Sequence, residues 1–343
     1  MTAICKIKSQ LMAMLSVVLC LIFQGCNFSG PNLSRTWIND HIDEEKRSEI
    51  QVLNKKFITG LKNDDPPAVR SMMSDSLLTI SKGSIDSIIH KASPLFHVDK
   101  FSVLNEYNVV NTSTGVDNFI NGTDVQGNEY TVRYTAINKD MYVSLLLVKD
   151  TFVDILVTAI YGKYGGKWKM NIFRIGQYSF YGKTGMDYYQ MARRDFARSY
   201  LVSAVCDISI AHQCMTPGGQ IFQYKKETEF KTFTDTVFNK IKSKYQFPLT
   251  MDGISGKPKL INIYPQMRVE GYFPLVLYKS DINLKDTVLL KTEFEKVKTE
   301  VKHLFPGIGK GNKFTLYQAY NEMPDGIHPV PYYGFVDEDP EPD

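Results

Sequence analysis

From Asp43 onward, apolar residues recur at Ile50, Leu53, Phe57 and Leu61 with charged residues between them, the spacing of one buried helix face. Lys62-Asn63-Asp64-Asp65 interrupts this stripe. Asp65 is placed to cap a second helix that opens with Pro66-Pro67 and continues through Val69, Met72 and Met73. A short helix is expected at Ile85–Lys91. The period then changes from near four to two. Phe101–Asn111 reads as a strand, and Tyr130, Val132, Tyr134 and Ala136 alternate with Thr131, Arg133 and Thr135 in another. Tyr142–Val148 and Phe152–Tyr161 are apolar, β-branched runs. Gly162 to Gly166 predicts a turn into a strand over Lys167–Gly176. Helices followed by antiparallel strands predict an α+β fold, with the helices packed on a curved sheet.

Residues 186–217 read as two packed helices, and the remainder as α-β-β-α-β-β. Phe230, Phe233, Val237 and Ile241 stripe the first of these helices. Leu290, Phe294, Val297, Val301 and Leu304 stripe the second, which begins at Asp286 and stops at Pro306-Gly307. Lys259–Tyr264, Tyr272–Tyr278, Phe314–Tyr320 and Tyr332–Val336 are the expected strands. The implied organisation is a roll over residues 38–182, a helical hairpin over 183–225, a second α+β domain over 226–336 and a disordered acidic tail over 337–343.

The first 26 residues have a different character. Lys6 and Lys8 precede an apolar run from Leu11 to Phe23, broken only by Ser16 and too short to span a bilayer. This is the layout of a secretory signal peptide over residues 1–25. Gly25-Cys26 resembles the lipobox of bacterial lipoproteins, although Phe23 and Gln24 replace the usual Leu and Ala or Ser. The resemblance implies that Cys26 carries palmitate-type acyl chains, enough of them for stable membrane anchoring. Residues 26–37 would then be a lipidated tether. Asn27 is not the Asp that resembles an inner-membrane retention signal, and no acidic run follows Cys26. The expected location is the cell envelope, on the periplasmic face of the outer membrane. Removing residues 1–25 takes away Lys6 and Lys8 and no acidic residue, so the net charge falls from +3 to +1. That balance gives no electrostatic footprint for nucleic acid.

The N-terminal helices, Gly60-Leu61-Lys62-Asn63-Asp64 and the closing strand Gly166-Lys167-Trp168-Lys169-Met170 resemble the nuclear transport factor two-like (cystatin-like) superfamily over residues 40–180. The resemblance implies a cystatin-like roll and no particular activity. Ala192, Ala204, Ile208, Ala211 and Pro217 resemble the small-residue positions of one tetratricopeptide repeat. No second copy follows, so a connecting hairpin is expected rather than a peptide-binding array. The second half also resembles lipoproteins of gut Bacteroidota, which implies a lineage and no activity.

The chain carries no Gly-rich phosphate loop, Gly-x-Ser-x-Gly elbow, His-Glu-x-x-His helix or Cys-x-x-Cys pair, so no cofactor or metal is expected. Histidines at 41, 90, 97, 212, 303 and 328 are dispersed. Cys206 and Cys214 lie about 12 Å apart along one helix, too far to bridge each other, and are expected to be packed thiols. Asp154 interrupts an apolar run. In a roll, it could act as a base opposite the hydroxyl of Tyr134 or Tyr142, the logic of ketosteroid isomerase. The structural alternative is cross-strand pairing with Arg133 or Arg174, or a solvent-facing edge. Asp followed by Ser or Thr and an aliphatic occurs at Ser76, Ser87, Thr236 and Thr287, and resembles the O-glycosylation sequon of Bacteroidota envelope proteins. The leading expectation is a lipid-anchored envelope protein that binds a protein partner or small ligand without chemistry. The alternative is a lyase or isomerase built on Asp154.

Overall fold

The computed structural model describes residues 34–150 and 152–338. The leader, Cys26 and residues 339–343 of the acidic tail lie outside the described residues. The fold is α+β, as the sequence periods predict. Its first sheet runs in the order β1 (Arg35–Ile38), β2 (Ser102–Val110), β5 (Asp140–Val148), β6 (Val153–Tyr164), β7 (Lys167–Phe180) and β8 (Lys183–Thr184). Every pairing in it is antiparallel. The β6–β7 register slips twice, leaving Asn171 and Tyr178 of β7 as extra residues. Such bulges bend a strand and add twist, which curves the sheet. Gly165 and Gly166 close the β6–β7 hairpin at φ of 52° and 85°, values that suit glycine.

Both faces of this sheet are covered, so its central strands β5 and β6 carry apolar residues on both faces, with Ser144 and Thr158 as buried polar exceptions. One face takes α1 (Glu44–Lys62), α2 (Pro66–Arg70), α3 (Asp75–Ile80) and α4 (Ile85–Ala92). Ile50, Phe57, Ile58 and Leu61 of α1 pack there with Tyr142, Leu146, Val157 and Tyr161. Asp43 caps α1 by accepting from the Lys46 amide at 3.1 Å. A buried polar chain locks α1 to the sheet: the Tyr161 hydroxyl donates to Asn54 at 2.8 Å, and Asn54 donates to Ser144 at 3.1 Å. Beside it, buried Glu106 accepts from Arg47 at 2.7 Å and from the Tyr142 hydroxyl at 2.7 Å.

The opposite face carries Met141, Val143, Leu145, Leu156 and Ile160. A small sheet covers part of it, ordered β3 (Asp117–Thr123), β4 (Glu129–Thr135), β9 (Phe222–Tyr224). The helical hairpin α5 (Gly185–Ala197) and α6 (Leu201–Cys214) covers the rest, joined by α7 (Glu227–Lys244) through Phe230 and Val237. Ala192, Ala204, Ile208 and Ala211 are fully buried in this layer. Those four small-residue positions that resembled a repeat therefore belong to this buried core.

The last sheet is ordered β10 (Leu249–Thr250), β11 (Lys259–Arg268), β12 (Gly271–Lys279), β13 (Thr315–Tyr320), β14 (Tyr332–Asp337). β12 and β13 are parallel, joined through α8 (Thr287–Leu304), while the other pairs are antiparallel. Its core draws on Leu201, Val202 and Cys206 of α6 as well as on α8.

Four sequence expectations change. The second helix stops at Arg70 instead of running through Met73, because the chain turns so that Met73 bridges Met170 on β7. β6 continues through Gly162 to Tyr164, since a glycine there leaves room for the Asn138 and Asn171 side chains. The expected tether over residues 26–37 overlaps β1, which begins at Arg35 and pairs with β2. Asp337, assigned to the tail, is a buried member of β14 and lies 2.9 Å from Lys302.

Candidate ligand cleft between the two halves

Three stretches distant in sequence, residues 181–206, 270–274 and 310–313, meet at one cleft of about 440 Å³. The turn after β7 supplies Tyr181, and β8 supplies Lys183. α5 supplies Tyr188, Arg194 and Asp195, with Arg198 just past its end. Tyr200, Ser203 and Cys206 come from the start of α6, Tyr272 and Phe273 from β12, and Lys310 and Lys313 from the loop before β13. Local chemistry fixes each of these. α5 starts on a capping box, with Thr184 accepting from the Asp187 amide and Asp187 accepting from the Thr184 amide. This start sets the helix so that Arg194 and Arg198 lie one turn apart. Tyr181 bridges to the β11–β12 turn by donating to the Arg268 and Gly271 carbonyls. Gly307 has a φ of 78° and sits against the Tyr200 ring, where a Cβ would collide. Ser203 holds the Gly307 carbonyl at 3.0 Å, and Lys310 stands 5.8 Å from the centre of the Tyr200 ring.

Five cations line the cleft (Lys183, Arg194, Arg198, Lys310, Lys313) against two acids, Asp195 and Glu270. Burial raises the Asp195 carboxyl above its ordinary range, opposed by Arg198 and Arg194. Behind Tyr272 lies Asp207, which is 1% exposed. The Tyr272 hydroxyl donates to one Asp207 oxygen, and the other has no hydrogen-bond partner. Burial pushes this carboxyl up to about 7; the Tyr272 bond, Lys183 and Arg194 only partly offset that, while Asp195 adds to it. Burial also raises the Cys206 thiol, which makes it a poor nucleophile. No histidine lines the cleft. The lining thus combines an excess of cations with aromatic walls and places no nucleophile and base in contact.

The residues singled out in the sequence do not converge. Asp154 accepts from Ser179 at 2.7 Å, not from an arginine. Arg133 lies 3.7 Å from Asp117 and over the Phe119 ring, and Arg174 donates to the Phe173 carbonyl. Tyr142 donates to Glu106, on the helix-covered face. Its register partner is Tyr161, seven residues along β6 from Asp154, or about 20 Å. Tyr134 lies on β4 with its hydroxyl buried and unpartnered. Cys206 and Cys214 are free and buried. Ser87, Thr236 and Thr287 are exposed and Ser76 is half-buried, all on helices.

Sequence reasoning missed Asp207 and the loop after α8. Asp207 interrupts the apolar helix Leu201–Cys214 as Asp154 interrupts a strand, so the same signal was present. The run Gly307-Ile308-Gly309-Lys310-Gly311 carries three glycines at φ of 72° to 78° beside two lysines, a pattern outside the standard phosphate-loop spacing. Among the described residues, no group of three or more His, Cys, Asp or Glu side chains could hold a metal ion, and no helix is long and apolar enough to cross a membrane. No protein-family model, curated protein or solved structure matches the chain.

Proposed function

We propose that the protein is a lipid-anchored cell-envelope protein, held through Cys26, that binds an anionic small ligand in the cleft between its halves and performs no chemistry on it. One observation carries the ligand reading: five cations and two acids line a concave site whose walls include Tyr181, Tyr188, Tyr200 and Tyr272. An aromatic or ring-bearing anion satisfies both features, since cations fix its charge and the rings cover its faces. The apolar leader ending in Gly25-Cys26 supports the anchor. Glycans on exposed Ser87, Thr236 or Thr287 would be compatible with that location. Against a lyase built on Asp154 and Tyr142, Asp154 accepts from Ser179 and Tyr142 lies far along the sheet.

The test is calorimetric titration of the full chain with phenyl phosphate, using phenol as the neutral control. Binding is expected for the phosphate alone, to weaken as salt rises, and to fall at least about tenfold in Arg194→Ala combined with Lys310→Ala. Equal binding of phenol, or an unchanged affinity in the double variant, refutes the ligand reading. The anchor is tested separately by the mass of the N-terminal peptide. A diacylglyceryl group on Cys26 supports it, and intact Met1 on protein in the aqueous phase overturns it.

A further inference from the structure

A second concavity, which shares no lining residue with the basic cleft, lies between α3, α4 and strand β7. It encloses about 730 Å³ and is lined chiefly by aliphatic side chains, among them Leu77, Ile80, Ile88, Leu95, Ile172 and Ile175. Three of these are unusually wet for isoleucine and leucine: Ile80 is 72% exposed, Ile88 40% and Leu95 43%. Scattered exposed aliphatics are ordinary, but a run of them sharing one hollow marks a binding surface. No acidic residue lines the hollow, whereas Lys91 and Arg174 do. Arg174 is held in place by donating to the Phe173 carbonyl at 2.9 Å. Neither cation is in an ion pair among the described residues.

Size and charge together select the occupant. The lining comprises fifteen residues, fewer than the roughly 20–30 that a stable protein interface places on each side. The volume falls in the range of small-molecule sites, about 300–1,000 Å³. Aliphatic walls with few aromatics suit a flexible methylene chain better than a flat ring. Two unpaired cations at the rim suit a single negative head group. We propose that this groove binds a long-chain fatty acid, with its acyl chain along α3 and α4 and its carboxylate at Arg174 and Lys91. This site is independent of the anion cleft, so either can fail without the other.

The experiment uses a diazirine-bearing palmitate analogue, added to the full chain in its native membranes and mapped by peptide mass. Labelling is expected on the peptides spanning Leu77–Leu95 and Ile172–Ile175, and excess palmitate should suppress it. Burying each methylene changes affinity about fourfold, so laurate should need on the order of a hundredfold more than palmitate to compete. Hexadecanol, which lacks the carboxylate, should compete several-fold less well. Ile88→Asp should lower labelling at least tenfold and Arg174→Ala several-fold. Ile327→Asp, at an exposed isoleucine outside the groove, should leave it unchanged and controls for loss of fold. Three results overturn the proposal: labelling confined to other peptides, labelling insensitive to Ile88→Asp, or equal competition by hexadecanol. A protein cross-linked at the groove, in place of the lipid, would overturn it too.

Discussion

Replacing Asp207 by Asn should reshape the pH dependence of stability. The carboxyl is 1% exposed, one oxygen lacks a partner, and burial carries its pKa up to about 7. Folding therefore raises its affinity for a proton above that of the unfolded chain, where an aspartate titrates near 3.9. The stabilisation from the bound proton is complete below about pH 4 and is lost as pH rises through 7. Above that the fold bears the whole cost of a buried charge, about 4 kcal/mol for a three-unit difference. Between pH 5 and 8.5, the share that changes is about 3 kcal/mol. The introduced asparagine cannot ionise, but its amide nitrogen would inherit the unpartnered position, a constant cost of about 1–2 kcal/mol. The variant should thus be about as stable as the native chain at pH 5 and about 2–3 kcal/mol more stable at pH 8.5. Urea unfolding at four pH values, followed by tryptophan fluorescence and far-ultraviolet circular dichroism, gives the two curves. Titrating groups that do not interact with Asp207 contribute equally to both and cancel in the difference. If the difference stays constant to within about 0.5 kcal/mol across that range, Asp207 is not a buried, proton-retaining carboxyl and the reasoning fails.

Two further predictions concern the helix-covered face of the first sheet. Glu106→Ala leaves Arg47 and the Tyr142 hydroxyl without their buried acceptor and should cost about 3–5 kcal/mol in chemical unfolding. Asp40→Ala removes only the other partner of Arg47, on a side chain 91% exposed, and should cost less than about 0.5 kcal/mol; equal costs would show that Glu106 is not the anchor. Tyr161→Phe strips the buried Asn54 oxygen of its donor and should cost about 1–3 kcal/mol, with the secondary structure unchanged; no measurable loss would mean that water replaces the hydroxyl.

Elements with a strong period were legible in the sequence. α1, β5 to β7, α7 and α8 each place many apolar side chains at regular spacing, and one buried face fixes where they lie. Elements with little periodic content were not. β9 has three residues and exists because Tyr224, Gln223 and Phe222 pair with β4, about ninety residues earlier. β3, Asp117-Asn118-Phe119-Ile120-Asn121-Gly122-Thr123, is rich in poor strand formers and is held by full pairing to β4. The parallel β12–β13 pairing depends on α8 folding back, which no local pattern reveals. The cleft was hidden for the same reason. Lys183 and Lys313 line one hollow across 130 positions of chain, and nothing near either residue announces the other.

The sharing of α6 has a consequence for how this molecule can be taken apart. Ala204, Ile208 and Ala211 serve the core beneath the first sheet, while Leu201, Val202 and Cys206 serve the core of the last one. A cut at either end of the hairpin would strand one set of these side chains in water, so neither fragment inherits a finished interior. The two halves behave as rooms on either side of a party wall. Gene fragments drawn at the apparent boundaries should aggregate rather than fold, and heat should melt the intact chain in one step.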